Sequence, residues 1–170
     1  MFDLIKRLFD ICLFRKGPQD LPYQAVLLYL LISINALVSF LMLFMEHGGL
    51  SAVLQAITGI VLEMVLSTFI LYGFGKLARF QQTASALLGT GALLSFFALP
   101  VMATMILGQG GIAVFFLMVA ILIWHWGVVG HIMHHALDKP ISFSLGLALL
   151  YLLASYKVMA LLFPELSNAN

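Results

Sequence analysis

The sequence predicts an all-α polytopic membrane protein, a five-transmembrane-helix bundle preceded by an N-terminal amphipathic helix lying in the membrane interface. Three observations lead there. Of the 170 residues, 63% are hydrophobic and 9% charged, whereas a soluble domain carries roughly a quarter charged residues. With a mean hydropathy of +1.11, the chain has too little polar surface to face water, and lipid must be its solvent. Five apolar runs each reach the roughly 20 residues needed to cross about 30 Å of hydrocarbon as a helix. Finally, every Lys and Arg outside those runs falls on one side of them, the pattern of the positive-inside rule.

Residues 1–22 form the amphipathic helix and a linker. Asp3, Lys6, Arg7 and Asp10 recur at spacings of three and four and draw one narrow polar stripe on a helix over 1–14. Phe2, Leu4, Ile5, Leu8, Phe9, Ile11 and Leu13 cover the rest. The run is too short to span, so it is expected at the interface or packed on the ends of the bundle. Arg15-Lys16-Gly17-Pro18 stops it, and Pro22 keeps the linker from resuming a helix.

Residues 23–163 hold the five spans, at about 23–45, 50–72, 84–107, 112–133 and 141–163, and 164–170 form a short outer tail. The first run is too long for a signal peptide and lacks a small-residue cleavage site, so it is expected to be retained. Glu46-His47-Gly48-Gly49 and Gly108-Gln109-Gly110-Gly111 are connections short enough to force antiparallel neighbours. Lys6, Arg7, Arg15 and Lys16 precede the first span, Lys76 and Arg79 separate the second from the third, and Lys139 separates the fourth from the fifth. The opposite loops and the tail have no Lys or Arg, which predicts a cytoplasmic N-terminus and an outer C-terminus. Small residues at Thr58-Gly59, Ser67-Thr68, Ser85 and Gly89, and Gly127 and Gly130 suit close helix approach in lipid. Pro100 removes a hydrogen bond inside the third span.

The chemistry-bearing candidates are few. Glu63 lies near the middle of the second span with Gln55 two turns outward, and Lys157 lies toward the outer end of the fifth. Charges at such depths face a partner or a wet cavity. Counted from the outer ends, the two charges are offset by near 9 Å at about 1.5 Å per residue, within partial reach of a lysine arm. Three readings follow: an ion pair between Glu63 and Lys157, a proton or ion path, or a neutral Glu63 bonded to a neighbouring helix. The stretch from Trp124 to His135 holds both tryptophans and four of the five histidines. His131 and His135, at i and i+4, with His134 beside them, could bind a transition metal. No third ligand accompanies them, however, and His125 points about 120° away from His131. A bis-histidine haem would need an axial partner at the same depth, and His47 falls on the opposite side of the membrane. Trp124 and Trp126 as interfacial anchors are the plainer reading, and no cofactor is expected.

Other classes drop out on composition and motif. The single cysteine, Cys12, forms no internal disulfide, and a net charge of +1 offers no field for nucleic acid. No phosphate-binding Gly-rich loop and no nucleophile–histidine–acid spacing is present.

The middle of the chain resembles the Yip family (Ypt-interacting proteins) of five-span membrane proteins. The similar features are Gly75-Lys76 followed by Phe80, Gln82-Thr83 and Ala86-Leu87-Leu88-Gly89 opening the third span, Pro100 within it, and Trp126 with Gly130 in the fourth before a short basic turn. Over roughly 23–163 the resemblance implies five helices, a cytoplasmic N-terminus and a role in membrane organisation. Eukaryotic members interact with Rab-type GTPases and carry a long soluble N-terminal region. This chain, with about 22 residues before its first span, looks more like the short bacterial relatives. The reading favoured at this point is a non-enzymatic scaffold or assembly partner in a bacterial inner-membrane complex, its partners the bilayer and other membrane proteins or further copies of itself. A small transporter or channel subunit using Glu63 and Lys157 is the rival, and a metal- or haem-binding membrane protein using His131, His134 and His135 is the third possibility.

Overall fold

A computed structural model describes residues 2–47 and 49–164. Gly48 and nearly all of the expected outer tail, 165–170, lie outside the described residues. Every regular element described is helical. Helix α1 covers Phe2–Cys12 and is followed by a 3-10 turn at Pro18–Asp20. The spans are α2 (Ala25–His47), α3 (Gly49–Gly73), α4 (Phe80–Ile106), α5 (Ile112–Leu137) and α6 (Ile141–Leu162), with a second 3-10 turn at Leu77–Arg79 before α4. All five are long and apolar enough to cross a membrane.

Two spans run further than the pattern suggests. The fourth was expected to stop at 133, yet α5 continues through His134 and His135 to Leu137. Asp138 then adopts a left-handed backbone with φ of 55°, and Arg79 Nη1 donates to the carbonyls of His135 and Ala136 at 3.0 and 3.1 Å. Those are carbonyls that a helix C-terminus leaves without an intrahelical partner. The third span was expected from 84, yet α4 starts at Phe80. Its polar opening is held because the Gln82 amide donates to Leu21 O at 3.0 Å and to Gln19 O at 3.4 Å. The remaining boundaries fall within two residues of expectation.

The spans close a ring in the order α2, α4, α5, α6, α3 and back to α2, and α1 packs outside it on α4 and α5. Helices approach where small residues permit. A Cβ at Gly130 would lie 2.6 Å from Leu145 Cδ2, so α6 sits in a notch of α5. A Cβ at Gly89 would meet Leu8 at 2.6 Å, so α1 seats Leu8 in a notch of α4. Gly59, by contrast, has nothing within 4 Å of its Cβ position.

Packing differs sharply between the two ends. Leu31 of α2, Leu71 of α3, Leu88 of α4, Val128, Val129, Ile132 and Met133 of α5, and Ser144 and Ala148 of α6 are buried. All belong to the halves nearest the basic loops. Toward the opposite end, Leu41, Phe44, Leu50, Leu54, Ile106, Ile112, Phe115, Phe116, Leu161 and Leu162 are exposed. Buried residues described there are fewer: Val38 of α2, Ala52, Gln55 and Ala56 of α3, and Ala98 and Val101 of α4. The bundle is tight at the basic end and splayed at the other.

Candidate intramembrane site

Within the splayed half the ring encloses a cavity of about 270 Å³ to which all five spans contribute. The lining residues recur every four positions on each helix: Asn35, Ser39 and Leu43 on α2; Gln55, Gly59 and Glu63 on α3; Leu87, Gly91 and Ser95 on α4; His125 and Val129 on α5; Tyr151, Ser155 and Met159 on α6. A spacing of four keeps residues on one helix face, so each span turns one polar or small stripe inward. Along the helix axes, Glu63, His125 and Tyr151 stand about 17–21 Å from the outer helix ends at 1.5 Å per residue. They line its deep part together with Val129 and Leu87, and Leu43, Gln55 and Met159 stand nearer the mouth.

The hydrogen bonds of this cavity are incomplete. Asn35 Nδ2 donates to Leu88 O at 3.0 Å, tying α2 to α4, and Ser39 Oγ donates to Asn35 Oδ1 at 3.2 Å. Gln55 is 1% exposed; its Nε2 donates to Ser51 Oγ at 2.9 Å, while its Oε1 has no partner among the described residues. A buried acceptor left without a donor costs about 1–3 kcal/mol. Glu63, His125, Ser95, Tyr151 and Ser155 make no hydrogen bond to any described residue, and Glu63 no ion pair.

Glu63 and Gln55 line the same cavity two turns apart on α3, but Lys157 does not join them. It is exposed on the outside of α6 and does not line the cavity. Five residues from the end of α6 it stands about 8 Å in, some 13 Å nearer the outside than Glu63 by the same rise. Asn35 and Tyr151 went unnoticed in the sequence because each looks isolated in its own span, and His125 was weighed only beside the other histidines. Their signal was the four-residue spacing to a second polar or small residue, repeated across spans.

The histidine stretch serves the other end. A carbonyl only accepts, so His131 Nε2–H donates to Lys16 O at 2.9 Å, His135 Nδ1–H to His131 O at 3.1 Å, and His134 Nδ1–H to Lys139 O. The His131 and His135 ring centroids lie 4.5 Å apart with the planes tilted by 54°, and Phe14 meets His131 edge-on at 5.4 Å. No group of three or more His, Cys, Asp or Glu among the described residues is arranged around a common metal position. Asp138 accepts from Lys76 Nζ at 2.7 Å and from Arg79 Nη1 at 2.9 Å. Those bonds, the Arg79 one first, hold its carboxyl well below the usual carboxylate range. The cluster latches the loops before α4 and after α5 to the N-terminal linker.

The tryptophans bond within the protein as well. Trp124 Nε1 donates to Cys12 O at 2.8 Å and Trp126 Nε1 to Leu145 O at 2.9 Å. Cys12 itself is fully buried, and burial pushes its thiol up to about 12.

No family model, no curated protein and no solved structure matches this chain.

Proposed function

We propose that the protein is a small transporter of the bacterial inner membrane that takes a polar solute into the cavity lined by Glu63. The observation that carries this reading is the convergence of one polar stripe from each of five spans on a single cavity, with so few bonds made among them. Polar residues that serve only as glue in lipid hydrogen-bond across helices. Here Asn35 alone does so, while Glu63 and His125 line the cavity with no hydrogen bond to a described residue. Ionisable groups at mid-bilayer mark solute, ion or proton pathways by default. The Lys and Arg pattern sets the basic end in the cytoplasm, so the splayed half opens outward. Of the residues proposed from sequence for such a role, Glu63 and Gln55 are retained and Lys157 is not.

The experiment is flux in proteoliposomes beside stability in detergent. Glu63→Gln keeps size and hydrogen bonding but removes the charge, and abolishes solute-driven or proton-driven flux while the melting temperature holds. Equal flux in the variant and the wild type sinks the proposal.

A scaffold or assembly role of the Yip-like type is the second reading. Its support is the five-span count with the residues quoted for that resemblance, and the outer half of α5, where Ile112, Phe115, Phe116 and Leu117 are all exposed. A protein or a second copy that stays bound there after mild solubilisation, and is lost on Phe116→Ser, supports it.

A further inference from the structure

We propose that one anionic phospholipid of the inner leaflet is held beneath α1, with an acyl chain in the cleft between α1, α2 and α4 and its phosphate against Lys6. This cleft lies on the face of α4 opposite the solute cavity and does not depend on what that cavity carries. It measures about 220 Å³, and its eleven lining residues are all aliphatic, aromatic or glycine, so it offers water no hydrogen-bond partner. The back is closed. Leu8 and Leu31 meet over Gly89, where a Cβ would lie 2.6 and 3.3 Å from them, and both leucines are buried. The mouth is open, because Ile5, Ile34 and Phe96 are exposed. The lining stretches of α2 and α4 stand about 8–24 Å from the basic ends of their helices at 1.5 Å per residue. That is the depth of acyl chains rather than of headgroups, and the Lys and Arg pattern sets this end in the cytoplasmic leaflet. A chain of that leaflet is what reaches the mouth.

The helix over the cleft selects the headgroup. Leu4, Ile5 and Leu8 face the cleft, and at 100° per residue Asp3, Lys6, Arg7 and Asp10 fall on the other side of α1. The apolar face therefore looks into the chains while the polar stripe stands at the level of the phosphates. Lys6 is exposed and bonds no described residue, and Arg7 gives only Nη1, to Asp20 O. Asp10 accepts from Lys16 at 3.2 Å, which leaves Asp3 alone against two cations. Lysine and arginine carry their charge past apolar surface to the interface, so a phosphate above Ile5 is within reach of Lys6. An anionic lipid fits both the apolar cleft and this excess of positive charge.

The test is native mass spectrometry of the full chain, delipidated in detergent and given back dioleoyl phosphatidylglycerol, dioleoyl phosphatidylcholine or oleate. Expected is one phosphatidylglycerol retained per chain at concentrations where phosphatidylcholine and oleate are lost. Ile5→Ser places a hydroxyl at the mouth and Ile34→Trp fills it. Each, checked for an unchanged elution volume and melting temperature, lowers retention roughly tenfold, the scale of one lost apolar contact of this size. Should one of the two unfold, the other decides. Leu54→Trp, at an exposed position of α3 away from the cleft, leaves retention unchanged. Lys6→Gln narrows the preference over phosphatidylcholine roughly two- to fivefold, as loss of an exposed ion pair does, and Arg15→Gln beyond the far end of α1 does not. Phosphatidylcholine or oleate held as well as phosphatidylglycerol overturns the proposal. So does a series of equivalent lipids with no distinct first one, retention indifferent to both mouth substitutions, or a preference untouched by Lys6→Gln.

Discussion

The indole of Trp124 donates its N–H to the carbonyl of Cys12 across 2.8 Å, joining the fourth span to the last residue of α1. With Leu8 seated at Gly89 and Phe9 edge-on to Phe97 at 6.5 Å, it pins the amphipathic helix against the bundle rather than leaving it loose on the surface.

That pin is measurable through the thiol. Cys12 is buried, and its pKa of about 12 keeps it protonated and inert at neutral pH, since the thiolate is the reactive form. Labelling by N-ethylmaleimide is therefore slow until α1 lifts. Trp124→Phe removes a hydrogen bond worth about 0.5–1.5 kcal/mol and speeds labelling roughly two- to twelvefold. An unchanged rate shows that the indole bond does not hold α1.

The loop latch should depend on acidity in one direction. Asp138 has a depressed pKa in the folded protein, so its contribution is fully present above the unfolded value of about 3.9 and is lost as the pH falls further. Asp138→Asn removes the charge, and Asn tolerates the left-handed backbone at this position. Melting temperatures of the two proteins should differ by a constant gap from pH 7 to 5 and converge below about pH 4. A gap that widens on acidification contradicts the assignment.

Two glycines give opposite outcomes. Gly130→Ala drives a Cβ to within 2.6 Å of Leu145 Cδ2 and 3.3 Å of its Cα, and overpacking of this kind costs about 1–3 kcal/mol. Gly59→Ala meets nothing within 4 Å and leaves detergent stability unchanged. Equal melting temperatures for the two variants would show that α5 and α6 are not held at that notch.

Topology is checked with single cysteines in a Cys12→Ala background. Gln109 in the loop between α4 and α5 should react with an impermeant thiol reagent from outside the cell, and Lys139 only after permeabilisation. The reverse pattern inverts the orientation of the cavity.

The five spans could be read in the sequence because hydrophobic length alone determines them. The loop latch could not: that Asp138 takes both Lys76 and Arg79 depends on which helix ends are neighbours, and a lone aspartate at a turn says nothing of that. Glu63 and Gln55 stood out because a charged or amide group in an apolar run is conspicuous. His125 did not, since its neighbours Trp124 and Trp126 suggested the membrane boundary, whereas it lies halfway along a helix that runs on to Leu137. Lys157 illustrates the converse error of pairing by charge. Opposite signs at compatible depths suggested a bond, but rotation about the helix axis, which depth does not fix, turns the lysine away.

The contact between Trp124 and Cys12 spans 112 positions of sequence, and this has a consequence for biosynthesis. At a synthesis rate of about 5–20 residues per second, roughly 6–22 seconds separate the appearance of α1 from that of its docking partner on α5. Until α4 is made, the first helix has an apolar face and neither α4 nor α5 to cover it. Leu8 can seat at Gly89 once α4 is made, but the Trp124 bond that pins the end of α1 closes only when the fourth span arrives. The earliest segment to be made is thus among the last to settle.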